Sequence, residues 1–219
     1  DTIKSLNIQK VIYHKCSDFI HNYPIPKRRF AEKQLHLFRI YTNINRTKEE
    51  QSLMVQIAES KIIEAAEQGM DEFLKVFTDA YLEELGGDIT NDNIDKLNGY
   101  QHTLLALRFF SEEINVGGFV QLIQNGYGGY VLDNPTAKSL KLMGAKGLSK
   151  ILYKAKDIYD AHREELERET TEEEFMAMYT EFEQFDELEE KYFYIEEEET
   201  LNVAQYVDDN IEDFAEVVK

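Results

Sequence analysis

The chain has 219 residues, 42% hydrophobic, with 13 Phe and 13 Tyr. That is enough to bury a core in one domain and to exclude disorder along the whole chain. Its 43 Asp and Glu outweigh 24 Lys and Arg to leave a net charge of −19, which opposes binding to nucleic acid or an anionic membrane and favours a basic protein partner. A single cysteine, Cys16, excludes an internal disulfide and suits a reducing compartment, and no apolar run approaches the roughly 20 residues that span a bilayer. No signal-peptide pattern opens the chain, so a cytoplasmic location is expected.

In chain order the periodicity predicts helices almost throughout. The first spans residues 6–22, with Ile8, Ile12, Cys16 and Phe19 on one side, although Lys10-Val11-Ile12-Tyr13 also reads as a short strand. Tyr23-Pro24-Ile25-Pro26 breaks it. The basic cluster Lys27-Arg28-Arg29 comes next, then a helix over 30–42 using Leu35, Phe38 and Tyr41. Thr47-Lys48-Glu49-Glu50 reads as a capping box, starting a helix that carries Leu53, Ile57, Ala58, Ile62 and Ala65 and ends at Gly69. From Asp71, residues Phe73, Phe77, Tyr81 and Leu85 recur every four positions as a core-facing stripe, stopped by Gly86-Gly87.

Residues 91–93 are expected to cap the next helix, which carries Ile94, Leu97, Leu104, Leu105 and Phe109 until Gly117-Gly118 interrupts it. A short helix with Phe119, Leu122 and Ile123 leads to a tight loop, Asn125-Gly126-Tyr127-Gly128-Gly129. Two more helices are read over 137–143 and 148–159. Thr171-Glu172-Glu173-Glu174 is a second capping box, and helical spacing continues from Phe175 to Phe214. No alternating β-branched run is long enough to build a sheet. The fold class expected is all-α: one multi-helix, bundle-like domain with an N-terminal helical arm.

The charge is uneven. Residues 1–50 hold 10 Lys and Arg against 5 Asp and Glu, whereas residues 166–219 hold 3 against 20. Spread over helix at 1.5 Å per residue, those carboxylates come at about one per 4 Å, close to the 3.4 Å charge spacing of a single DNA strand.

Known catalytic and metal patterns are missing. There is no Gly-x-Ser-x-Gly, His-Glu-x-x-His or Cys-x-x-Cys. Cys16 and His14 are two apart and face away from each other on a helix. The five histidines are scattered, and His14 and His21 stand about 10 Å apart along a helix axis. Asp88-Ile89-Thr90-Asn91-Asp92 begins like a calcium loop, but Asn93 and Gly99 stand where Gly and Glu are required. Gly126, Gly128 and Gly129 lack the Gly-Lys-Ser/Thr of a phosphate loop and read as a close helix approach. No metal and no cofactor are expected.

One stretch is distinctive: Glu112-Glu113-Ile114-Asn115-Val116-Gly117-Gly118-Phe119-Val120-Gln121-Leu122-Ile123-Gln124-Asn125-Gly126-Tyr127-Gly128-Gly129-Tyr130. It resembles the Glu-x-x-Asn-Gly-Gly-Phe-x-Gln-Phe-x-x-Asn-x-x-Gly signature of the DMP-nineteen-like family, a bacterial family named for a DNA mimic. Val116 replaces a second Asn, and Leu122 and Ile123 replace aromatics. Phe185-Asp186-Glu187-Leu188-Glu189-Glu190-Lys191-Tyr192-Phe193-Tyr194 is similar to the family's acidic helix. The resemblance covers roughly residues 47–214 and divides the chain into a basic helical arm, 1–46, and an acidic DMP-nineteen-like helical domain, 47–219.

The resemblance implies a non-enzymatic interaction protein, a DNA mimic that occupies the basic surface of a DNA-binding protein such as a transcription factor. The carboxylates expected to form that face are Glu172, Glu173, Glu183, Asp186, Glu187, Glu190, Glu197 and Glu198. The motif residues are Asn115, Gly117, Gly118, Phe119, Gln121, Asn125 and Tyr130. Read physically, Asn115 bonds backbone at a helix junction, the glycines turn the chain, and Gln121 with Asn125 satisfies loop backbone. The alternative is a small-ligand or enzymatic pocket lined by Asn115, Gln121, Asn125 and Tyr130. A solvated, merely solubilising acidic surface is the third reading.

Overall fold

The computed structural model describes residues 54–90 and 92–219. The expected helices over 6–22 and 30–42, the first capping box and Asn91 lie outside the described residues. The described chain is helical, as expected, around one core. The helices are α1 (Glu59–Gln68), α2 (Met70–Leu85), α3 (Gly99–Gln124), α4 (Thr136–Leu142), α5 (Lys146–Ala161), α6 (Arg163–Leu166), α7 (Glu172–Glu181) and α8 (Asp186–Asp209).

The centre is α3. Every residue from Gln101 to Leu107 is buried, so this helix has no solvent face there and is packed on by α2, α4 and α8. Its start is fixed locally. Asn98 Oδ1 accepts the N–H groups of Tyr100 and Gln101, both at 2.9 Å, while Gln101 Oε1 accepts Asn98 N–H at 2.8 Å. This moves the cap from the expected 91–93. Asn93 instead ties the preceding loop, accepting Thr90 N–H and donating to Leu85 O and Asp88 O before a single 3-10 turn, Ile94–Lys96.

The stripe Phe73, Phe77, Tyr81 and Leu85 of α2 is buried as its spacing predicts. Phe77 meets Phe214 edge-on, and Tyr81 donates to Phe214 O at 3.0 Å. A second aromatic run joins Tyr192, Phe110, Phe119 and Phe185, with ring centroids 4.9, 5.7 and 5.0 Å apart in turn. It packs α8, through Tyr192, and the turn just before it, through Phe185, onto the two halves of α3.

Two local expectations are corrected. Ile57 and Ala58 are not helical: β1 (Gln56–Ala58) pairs in parallel with β2 (Glu216–Val218), Ile57 opposite Val217. The partner lies 160 residues away, so nothing local to Ile57 announces it. The glycine-rich loop continues as a π-helical turn, Gly129–Asp133, whose Tyr130, Val131 and Leu132 are buried; the wider turn carries Tyr130 to His102 on α3.

Candidate functional site

Gly117 and Gly118 break α3 within its span, with φ/ψ of −161°/23° and 68°/−166°. The second pair lies in a region open essentially to glycine alone. Beyond the break the helix restarts, and the Phe119 N–H is accepted by Glu189 Oε1 from α8 at 2.7 Å. A carboxylate there satisfies a helix-start amide and sits favourably on the dipole. A Cβ on Gly118 would stand 2.2 Å from that same oxygen. Burial raises the Glu189 carboxyl above its ordinary value, against the lowering effect of the Phe119 N–H. Tyr179 of α7 donates to Gly117 O at 3.0 Å and closes the junction from another side.

The motif side chains pair off inside the fold. Asn115 Nδ2 donates to Glu196 Oε1 at 3.1 Å, an oxygen that also accepts Tyr192 O–H at 2.8 Å. Gln121 Nε2 and Asn125 Nδ2 donate to one oxygen of buried Glu113, at 2.9 and 2.8 Å. Tyr130 O–H and His102 Nδ1 are 2.8 Å apart, and burial lowers the His102 pKa to about 4, so its ring is neutral at pH 7. Asn115, Gln121 and Asn125 therefore serve carboxylates, where the sequence predicted backbone groups. Their polar ends and that of Tyr130 go to Glu196, Glu113 and His102, three separate places, so the four do not converge on one pocket. A cleft of about 250 Å³ between α2, α3 and α8 does have Asn115 and Glu196 in its wall, beside Asp71, Arg108 and Ser111. The other six motif residues do not line it.

All eight carboxylates assigned to the acidic face are exposed. Glu172 and Glu173 occupy the first turn of α7, behind a capping box in which Thr171 and Glu174 bond reciprocally. Glu183 sits in the 3-10 turn Glu183–Phe185, and Asp186 opens α8. At about 100° per residue, Glu187, Glu190, Glu197 and Glu198 lie within one arc of about 100° on α8. Lys191 forms an ion pair with Glu187, and this hydrogen bond holds the Glu187 carboxyl below its ordinary value.

Not every carboxylate of α8 faces outward. Glu189 and Glu196 are engaged as described, and Glu199, 8% exposed, accepts the N–H groups of Gly147 and Leu148 at 3.1 Å. Glu199 thereby caps the start of α5 from another element, and Gly147 leaves room for it: a Cβ there would meet Glu199 Oε1 and Ile195 Cδ1 at 2.7 Å. Of the ten Asp and Glu in this 24-residue helix, three are committed internally. The remaining seven come at about one per 5 Å of helix. The outward charge is sparser than the even spread predicted from sequence.

The inward carboxylates are absent from the sequence-based site, although spacing marks two of them. Glu113 stands four and three residues after Phe109 and Phe110, and Glu199 lies on the line Leu188, Tyr192, Val203. Polar residues on apolar stripes announce buried roles. Tyr194 carries no such signal; it is 91% exposed and lies within the angular span of the α8 arc.

Among the described residues no group of three or more His, Cys, Asp or Glu is placed to hold a metal ion, and no helix is long and apolar enough to cross a membrane. The model of the DMP19-like protein family matches residues 95–210, which include the Gly117-Gly118 junction, its buried Glu113 and the whole of α8. The DNA mimic protein DMP19 of Neisseria meningitidis serogroup B (strain ATCC BAA-335 / MC58) is 32% identical over 145 residues, covering 66% of this chain and 87% of its own length. With the kinked central helix and its carboxylate-capped junction inside the matched region, the chain belongs to the DMP19-like protein family.

Proposed function

We propose that this protein is a non-enzymatic DNA mimic that occupies the basic, DNA-binding surface of a DNA-binding protein such as a transcription factor. The observation that carries the reading is the outer face of α8. Glu187, Glu190, Glu197 and Glu198 project from one arc of a helix whose inner side is locked by Leu188, Tyr192 and Val203 in the core and by the Glu189 and Glu199 bonds. Carboxylates on a fixed helix meet a Lys/Arg array without further ordering, which lowers the cost of association. Exposed Glu172, Glu173, Glu183 and Asp186 extend the face. Family membership and the DNA-mimic name of a relative support the reading. The small-ligand alternative loses its ground because the candidate pocket's polar groups are taken up by Glu196, Glu113 and His102 at three separate places.

The test is capture from cell lysate at low salt on immobilised full chain, with elution by salt. DNA-binding proteins are expected to elute, and added chain is expected to displace them from duplex DNA. The E187Q/E190Q/E197Q/E198Q variant is expected to keep its thermal midpoint and lose capture. Undiminished capture by that variant, or captured proteins that keep hold of DNA in the chain's presence, would sink the reading.

A further inference from the structure

Among the described residues, one stretch of this acidic protein is basic. Residues 134–156 contain six Lys and no Asp or Glu. Lys146, Lys150 and Lys154 are four apart, exposed, and so share one stripe of α5. The ion pairs of the described residues leave Lys146 and Lys150 unengaged, while Lys156 of the same helix is taken up by Asp133 and Asp160. The stripe borders a surface groove of about 460 Å³ between α5 and α8. Ile151, Leu188 and Ile195 line the groove, Lys150, Lys154 and Lys191 stand around it, and Tyr194 rises from its edge. Lys191 answers Glu187, and Lys154 adds a weaker pull on the same carboxylate.

An apolar cleft between two helices, ringed by cations and flanked by an exposed tyrosine, is built for an amphipathic ligand of negative charge. The stripe from Lys146 to Lys154 is eight residues, about 12 Å long, which matches carboxylates at i, i+4 and i+8 of a second helix. A single-headed anionic amphiphile would meet one of these cations and leave the others unanswered. Duplex or single-stranded nucleic acid would run past the groove and bring its phosphates against the exposed carboxylates beyond it, which a short helix seated along α5 avoids. We propose that the α5–α8 groove is a second docking surface, bordering the acidic arc at Glu190 and Tyr194, which takes an acidic amphipathic helix of a protein partner: apolar side chains over Ile151, Leu188 and Ile195, carboxylates on Lys146, Lys150 and Lys154 along the α5 side, away from Glu190, and Tyr194 covering the edge.

The experiment uses the full chain and a fluorescein-labelled synthetic helical peptide with Glu at every fourth position and Leu between, read by fluorescence anisotropy at low salt. A scrambled peptide of the same composition, a version with Lys for each Glu, and phosphatidylglycerol vesicles are measured beside it. Expected are saturable binding of the Glu peptide, at least tenfold weaker binding of the scramble, and a tenfold or greater loss in both K150Q/K154Q, which removes two exposed charges, and K150E/K154E, which reverses them. Tyr194→Ala is expected to lose about fivefold at any salt, because its contribution is apolar. Equal binding of ordered and scrambled peptides, unchanged binding in the lysine variants, or vesicle binding that alone responds to them would overturn the proposal. Each of these leaves the acidic arc's role as it was, since that is read with E187Q/E190Q/E197Q/E198Q.

Discussion

Gly118 shows how one residue couples two parts of the chain. Its backbone at φ 68° and ψ −166° is strained for any side chain, and the space a Cβ would fill is held by the Glu189 carboxylate. Gly118→Ala must therefore bear the strain and also push Glu189 off the Phe119 N–H. We expect a loss of about 3 kcal/mol, read as a lower urea midpoint with an unchanged m value. A shift under about 1 kcal/mol would mean that the junction relaxes freely. The motif asparagines and glutamine are legible as important from their spacing around the glycines. Their acceptors are not, because Glu196 comes from a helix 81 residues away, and the apolar stripe that marks Glu113 as buried does not say which side chains it accepts from.

Among the elements, α8 carries two jobs on two faces. Outward it presents carboxylates; inward, Glu189 and Glu199 cap the restarted α3 and the start of α5. An acidic composition alone does not separate these groups, but the apolar line through Leu188, Tyr192 and Val203 does. Glu199→Ala strips the acceptor from two amides at the α5 terminus and is expected to cost about 2 kcal/mol. Glu199→Gln, which keeps one oxygen acceptor, is expected to cost less. Hydrogen exchange gives the sharper check: the Gly147 and Leu148 amides should exchange faster in Glu199→Ala while those of α2 do not. Uniform acceleration would show a general loss of stability and no specific cap.

For the whole molecule, the charge of −19 makes stability respond to pH in opposing ways. Asp208 is raised to about 6, chiefly by burial and then by Asp209. Its folded pKa exceeds its unfolded one, so its charge costs stability at pH 7, and that cost disappears as pH falls from about 6 to below the ordinary 3.8. His102 works the other way: its pKa is lowered to about 4 by burial, so stability is lost as pH falls from the ordinary 6.5 toward 4. At Asp79 and Asp133 burial is outweighed by arginine and lysine partners that hold both carboxyls low, so they add losses only below about 3.8. The two opposing slopes are separated by Asp208→Asn. It should raise the thermal midpoint by on the order of 1–3 °C at pH 7 and by a small fraction of that at pH 4. A gain of equal size at both values would contradict the assigned cause.

The helical class, the α2 stripe, the capping box at Thr171, the break at Gly117-Gly118 and the family are all legible in the chain before it folds. Each is written in contacts within four residues or in local composition, which is where helical periodicity and capping act. Tertiary packing alone makes Gln56–Ala58 a strand, places α3 at the centre, turns three of the α8 carboxylates inward and gathers lysines along the α5–α8 groove. Those outcomes depend on partners tens to more than a hundred residues away, and a carboxylate's place on an apolar stripe marks it as buried without naming the distant donor it serves.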